Sequence, residues 1–213
     1  AIYVKIITIF FYKKEPLSVS IIGRSYIFRA AFLSSPKQEE KIMKIAFEAL
    51  HERHRDGVLE ILRHYINNTT MLFTSSVLTE DSYVRMVEQL KGYPAYVVVD
   101  YENHKISGFC FLSEYSMFPA FRTTAEIGYY IAPDYIGKGI GSKCLDKLAS
   151  AALERNITHL LAKISSENLR SIQFHKKKGF ILCGNLRGIG EKCGRCFDVI
   201  LMQKDLTPHP LHN

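Results

Sequence analysis

Ile127-Gly128-Tyr129-Tyr130-Ile131-Ala132-Pro133-Asp134-Tyr135-Ile136-Gly137-Lys138-Gly139-Ile140-Gly141-Ser142-Lys143-Cys144 decides the fold. Thr124 to Ile131 is rich in β-branched and aromatic residues and predicts a strand. Ala132-Pro133-Asp134 turns the chain. A helix then opens whose apolar stripe is Ile140, Cys144, Leu148 and Ala151. Gly137, Gly139 and Gly141 stand at alternate positions and remove Cβ atoms where a ligand must approach the backbone. The free N–H groups of the first helical turn, with the helix dipole, make an anion seat, and Lys138 adds a full charge. Tyr135 to Ser142 therefore predicts a diphosphate site formed by Gly137, Lys138, Gly139, Ile140, Gly141 and Ser142. A P-loop would end in Gly-Lys-Ser/Thr, and Gly141-Ser142-Lys143 has the wrong order. A dinucleotide fingerprint would space its glycines G-x-G-x-x-G, whereas the spacing here is G-x-G-x-G.

Outward from this stretch, alternation or helical spacing predicts a strand from Lys44 to Leu50 and helices from His54 to Tyr65 and, capped by Thr79, from Glu80 to Leu90. Asn67 to Thr70 are read as ending the first helix. Strands are expected over Ala95–Asp100 and Lys105–Tyr115. After the glycine loop come a helix from Gly139 to Arg155, a strand from Thr158 to Ile164, a helix from Asn168 to Lys177, and strands over Phe180–Asn185 and Arg195–Met202. A meander of strands followed by strand–helix alternation predicts a mixed α/β fold: a twisted, mostly antiparallel sheet of six to seven strands flanked by helices.

With 213 residues, 47% apolar and 23% charged, the chain suits one full-sized globular domain. Residues 1–42 look unlike the rest, lacking clear periodicity and caps. They are read as an N-terminal extension, with Met43 as a natural start and 1–42 as translated upstream sequence. Gln38-Glu39-Glu40-Lys41 can be encoded almost entirely by purines, as a bacterial ribosome-binding site would be. The domain is expected over 43–206, with 207–213 a tail. The net charge of +7 favours anionic ligands, but no basic run interleaved with aromatics points to nucleic acid. Lys176-Lys177-Lys178 reads as a solvated helix end. No apolar stretch has the length of a membrane span. Of five cysteines, Cys110, Cys144 and Cys183 read as small core residues, and Cys193-x-x-Cys196 lacks the second pair that a zinc site needs. No metal is expected, His51, His54 and His64 included, and the odd cysteine count favours a reducing cytoplasm.

The glycine loop resembles the acetyl-CoA loop of the GNAT acetyltransferases, Q/R-x-x-G-x-G/A. Asn168-Leu169-Arg170-Ser171-Ile172-Gln173-Phe174-His175-Lys176-Lys177-Lys178-Gly179-Phe180 resembles their second block, N-x-x-S-x-x-(F/L)-(Y/H)-x-x-x-G-F. Tyr65-Ile66-Asn67-Asn68-Thr69, Thr123 to Ile131, and Gly190 to Asp198 resemble the phosphinothricin acetyltransferase group. Two positions depart from the pattern: Ile136 replaces the loop's Arg/Gln, and Cys196 a Trp.

The resemblance implies the GNAT fold, acetyl-CoA as cosubstrate, a small primary amine as acceptor, and a homodimer. The amine would attack the thioester directly, with Glu126 as base. Independently of the family, a carboxylate in a central strand is costly unless paired or functional, so a partnered, structural Glu126 stays open. The strand at Tyr129, Tyr130 and Ile131 would offer N–H groups to the developing oxyanion. Asn168 would touch the pantetheine arm, cap the helix, or both. Ser171 shares its helix face, and His175 stands where many GNATs carry a Tyr that protonates the leaving thiolate. Alternatives are a protein N-terminus or polyamine as acceptor, a nonenzymatic acyl-CoA-binding module, or a basic nucleic-acid binder.

Overall fold

The computed structural model describes residues 18–21, 24–27, 43–76 and 78–207, of which the first two segments are described by their backbone alone. The chain divides into two units, Ala1–Ile42 and Met43–Asn213. In the first, β1 (Ser18–Ile21) and β2 (Arg24–Ile27) form an antiparallel hairpin. The rest of the supposed extension, the Gln38–Lys41 tract and residues 208–213 of the tail lie outside the described residues.

The second unit is built on a seven-stranded sheet: β3 (Ile45–Ala49), β4 (Ala95–Asp100), β5 (Lys105–Glu114), β6 (Thr124–Ile131), β7 (His159–Ser165), β8 (Ile181–Lys192) and β9 (Arg195–Asp205), in the order β3-β4-β5-β6-β7-β9-β8. Every neighbouring pair is antiparallel except β6 and β7. This is the mixed, mostly antiparallel sheet expected. Helices α1 (Arg55–Asn68), α2 (Glu80–Gln89), α3 (Ile140–Leu153) and α4 (Leu169–Lys177) cover it.

Period-two alternation sends the two faces of each strand to different cores. Val97 and Phe109 pack with Val58, Leu62 and Tyr83 of α1 and α2. Val98, Cys110, Leu112 and Ala125 pack with Ile140, Cys144, Leu145 and Leu148 of α3. The α3 stripe read from the sequence is thus the buried one. Thr79 caps α2 in a reciprocal pair with Ser82, as its position before the helix predicted.

Three expectations are corrected. First, α1 runs on through Asn67 and Asn68. The Asn68 side chain donates back to the His64 carbonyl, and the break comes at Thr69, which turns to an extended conformation. Second, β8 extends to Lys192 rather than ending at Asn185. Its glycine-rich second half lacks alternation, but β9 supplies a pairing partner across two register shifts, and Gly188 adopts a left-handed φ of 61°. Third, Cys183 is exposed, because β8 is an edge strand with an open face; Cys110 and Cys144 are core residues as expected. Among the described residues, no helix is long and apolar enough to cross a membrane, and no group of three or more His, Cys, Asp or Glu could hold a metal ion.

Candidate active site

The site begins with a fault in the sheet. β6 and β7 are hydrogen-bonded neighbours only over Thr124–Glu126 and His159–Leu161. β6 continues to Ile131 and β7 to Ser165, so the strands splay apart beyond Glu126. The Ile131 carbonyl, on the side away from β5, accepts a hydrogen bond from the Tyr65 hydroxyl at 2.8 Å. Alternate backbone groups of this half of β6 therefore face the split rather than a partner strand.

A cleft of about 500 Å³ fills the split, a size usual for small-molecule sites. Tyr129, Tyr130, Ile131, Gly137, Gly139, Ile140, Gly141, Ser142, Asn168, Ser171 and His175 all line it. The cleft thus gathers the strand, glycine-loop and second-block residues singled out from the sequence, apart from Lys138 and Glu126. The Lys138 ammonium sits 4.8 Å from the ring centroid of Tyr135, which does line the cleft.

A cation that sequence reasoning missed stands at the cleft: Arg170, in the first turn of α4. Its guanidinium lies 3.8 Å from where a Cβ on Gly137 would sit. Ile136, at the position where a loop Arg or Gln was expected, lines the cleft as an apolar residue.

The loop is held from behind. The Tyr135 hydroxyl donates to Asp100 at 2.8 Å. Hydrogen bonds from Asn103, outweighing burial, hold the Asp100 carboxyl below its ordinary range. Gly139 is the N-cap of α3, with a left-handed φ of 79° and no side-chain cap. Among the described residues, no hydrogen bond takes up the N–H groups of Gly139, Ile140 and Gly141. A Cβ on Gly139 would meet nothing within 4 Å. Unsatisfied N–H groups at a helix start, an open cradle and a nearby guanidinium fit a diphosphate.

Asn168 caps α4, accepting from the Ser171 N–H at 3.0 Å, and also lines the cleft, so both parts of its expectation sit together. His175 is buried. Its Nδ1 lies 2.8 Å from the Ser171 carbonyl and its Nε2 2.7 Å from the Tyr129 hydroxyl. A carbonyl can only accept, so Nδ1 carries the proton and Nε2 accepts from Tyr129. Tyr129, Phe174 and Phe180 enclose the ring.

Burial pushes the His175 pKa below 6.5, only partly offset by the bond to Ser171. The unfolded ring takes up a proton at its ordinary pKa, the folded ring only at lower pH. The neutral ring therefore contributes stability above about pH 6.5, and this contribution is lost as pH falls through the folded pKa. Urea midpoints are expected to drop more steeply between about pH 7.5 and 5 for the wild type than for His175→Gln. Parallel curves would show that the ring takes up protons as freely folded as unfolded.

Glu126 stands where the β6–β7 pairing ends, with its side chain 25% exposed. It is an ion-paired residue: Oε1 lies 2.5 Å from Nζ of Lys163 on β7. Lys163 lines the cleft, so Glu126 meets the cleft through this pair. His64, Tyr65, Thr69 and Met71, from α1 and the segment after it, also line the cleft. Thr70 ties that segment to the end of β7 and the turn before α4 through Ser165 and Glu167, both at 2.8 Å.

A split sheet whose cleft has open helix-start N–H groups at one end and a carboxylate–ammonium pair at the other fits a diphosphate-bearing cosubstrate. The profile of the Acetyltransferase (GNAT) family matches residues 60–180. The L-amino acid N-acyltransferase MnaT of Escherichia coli is 31% identical over 152 residues, 70% of this chain and 87% of that protein. An L-methionine sulfoximine/L-methionine sulfone acetyltransferase of Salmonella typhimurium is 32% identical over 155 residues, 72% of this chain and 90% of that protein. The structure of a phosphinothricin acetyltransferase from Sinorhizobium meliloti in complex with acetyl-CoA superposes with a TM-score of 0.72 at 25% identity, covering 76% of this chain and 89% of that one. The chain belongs to the GNAT family: it is an acyltransferase, and acetyl-CoA is its cosubstrate.

Proposed function

We propose that the protein acetylates the primary amine of a free amino acid or amino-acid-like compound, of the methionine sulfoximine or phosphinothricin type, with Glu126 as general base. The observation that carries this reading is the carboxylate at the point where β6 and β7 part, paired with a lysine inside the cleft. The names of the relatives support the acceptor class. A polyamine site would be rich in Asp and Glu, whereas α1 and the segment after it line the cleft with His64, Tyr65, Thr69 and Met71.

Acetyl-CoA supplies an activated acetyl group and a thiol leaving group. The α3 N-terminus and Arg170 hold its diphosphate, and alternate N–H groups of β6 face the thioester oxygen. Glu126 takes the proton that an alkyl ammonium must lose before its nitrogen can attack. His175 orients the Tyr129 hydroxyl at the cleft wall rather than acting as an acid itself, since its one proton is held by Ser171.

Thiol release from acetyl-CoA, measured across amino acids, methionine sulfoximine, phosphinothricin, polyamines and peptide N-termini, tests the reading. Turnover is expected with the amino-acid-like acceptors. Exclusive turnover with polyamines or peptides, or none with any acceptor, would overturn it.

A further inference from the structure

Lys163 is the feature that the reaction as described leaves unused. It sits on the same β7 face as Leu161, which is in parallel register with Glu126, so the two charged side chains emerge side by side from one face of the sheet. Ala162 and Ile164, on the other face, are buried against α3. A lysine here cannot serve the core, and it projects instead into the cleft with its side chain 45% exposed. The other basic side chains of the cleft stand on different elements: Arg170 beside the glycine loop, His64 on α1, and His175 on α4, whose ring nitrogens are both taken up by Ser171 and Tyr129.

We propose that Lys163 anchors the acceptor's carboxylate, and that the Glu126–Lys163 pair is a resting form exchanged on binding for two crossed pairs. This rests on the amino-acid reading above. The acceptor's ammonium goes to Glu126 and its carboxylate to Lys163. A zwitterion carries both charges on one small frame, as the site does, so binding replaces one ion pair with two and leaves no charge alone. An amine without the carboxylate must part Glu126 from Lys163 and leave the lysine with no anionic partner. Selectivity for amino acids over simple amines then comes from that unpaired charge as much as from new contacts. Because Lys163 is half-exposed, water limits the penalty, and the discrimination expected is about 10- to 100-fold rather than the larger ratios of fully buried sites.

The test compares methionine sulfoximine with its carboxamide, in which the acid is neutral and the amine intact. The wild type is expected to favour the acid by about 10- to 100-fold in kcat/KM. In Lys163→Met the acid's KM should rise until the preference is gone, with the KM for acetyl-CoA unchanged. Lys163→Arg should keep the preference. Calorimetric Kd values for the acid on the CoA-loaded protein should weaken in Lys163→Met by the same factor. An undiminished preference in Lys163→Met would overturn the inference, as would an equal fall in kcat for acid and amide, which would make Lys163 merely a support for Glu126. A wild type that acetylates neither compound would overturn the acceptor reading and the inference with it. A wild type that acetylates both, with a preference Lys163→Met does not change, would overturn the inference alone.

Discussion

Glu126→Gln is expected to lower kcat by about 10²- to 10⁴-fold, the range over which a positioned general base acts, with the KM for acetyl-CoA unchanged. The amide keeps the shape of the side chain and can still meet Lys163 through its oxygen, but it cannot take a proton from an ammonium. Cosubstrate binding should be spared, because the proposed diphosphate seat lies at the start of α3 and α4 rather than at Glu126. A structural role for Glu126 predicts something different. If the carboxylate served only to neutralise Lys163, Glu126→Gln would lower the unfolding midpoint, and Glu126→Gln/Lys163→Met would restore both stability and turnover. The base role predicts no recovery of turnover in the double variant. It also predicts that activity lost in Glu126→Gln returns as pH rises toward the acceptor's own amine pKa, where free amine exists without help from the protein. An unchanged kcat in the single variant removes Glu126 from the chemistry.

What could be read from the chain beforehand depends on how local its cause is. The strand–loop–helix around Gly139 was legible because glycine spacing, a Pro turn and the α3 stripe are short-range signals, and all of them bear on one face of one helix. Asn168 was legible for the same reason, since a cap is defined by the residues directly after it. Lys163 was not. A lysine at an alternating position of a strand reads as a solvated surface residue, and only the end of β6–β7 pairing at Glu126 brings the two together across 37 residues of chain. Arg170 was hidden behind the motif that contains it, since its proximity to Gly137 depends on how α4 is placed against the loop. Lys138 shows the opposite case: adjacency in sequence suggested a phosphate contact, while in the fold its ammonium lies over the neighbouring Tyr135 ring, a contact that the sequence does not announce. The second half of β8 was illegible because its regularity comes from pairing with β9 rather than from its own pattern.

Gly139→Asp is expected to weaken acetyl-CoA binding by about 10²- to 10⁴-fold, the equivalent of losing one or two charge-assisted hydrogen bonds, while leaving the protein folded. Gly139 holds a left-handed φ of 79° in open space. Asp tolerates that conformation better than most residues, and a negative charge at a helix N-terminus is favourable. The new carboxylate would therefore settle the helix start by occupying the site that the diphosphate needs, and repel the diphosphate besides. Gly141→Ala is the counterpart. A Cβ there would come no closer than 3.8 Å to the Phe174 ring, an ordinary contact, and position 141 lies inside the first turn of α3. Ala is favoured over Gly within a helix by about 1 kcal/mol, so Gly141→Ala should raise Tm by about 2–4 °C; of the three glycines this is the one whose place in the loop pattern Q/R-x-x-G-x-G/A also admits Ala, so the calorimetric Kd for acetyl-CoA should stay within about twofold. The pair separates backbone conformation from ligand access: both variants should be folded, one stabilised and binding, the other unable to bind. If Gly139→Asp bound acetyl-CoA as tightly as the wild type, the start of α3 would not be the diphosphate seat. The three alternate glycines would then serve the turn between β6 and α3 and nothing more.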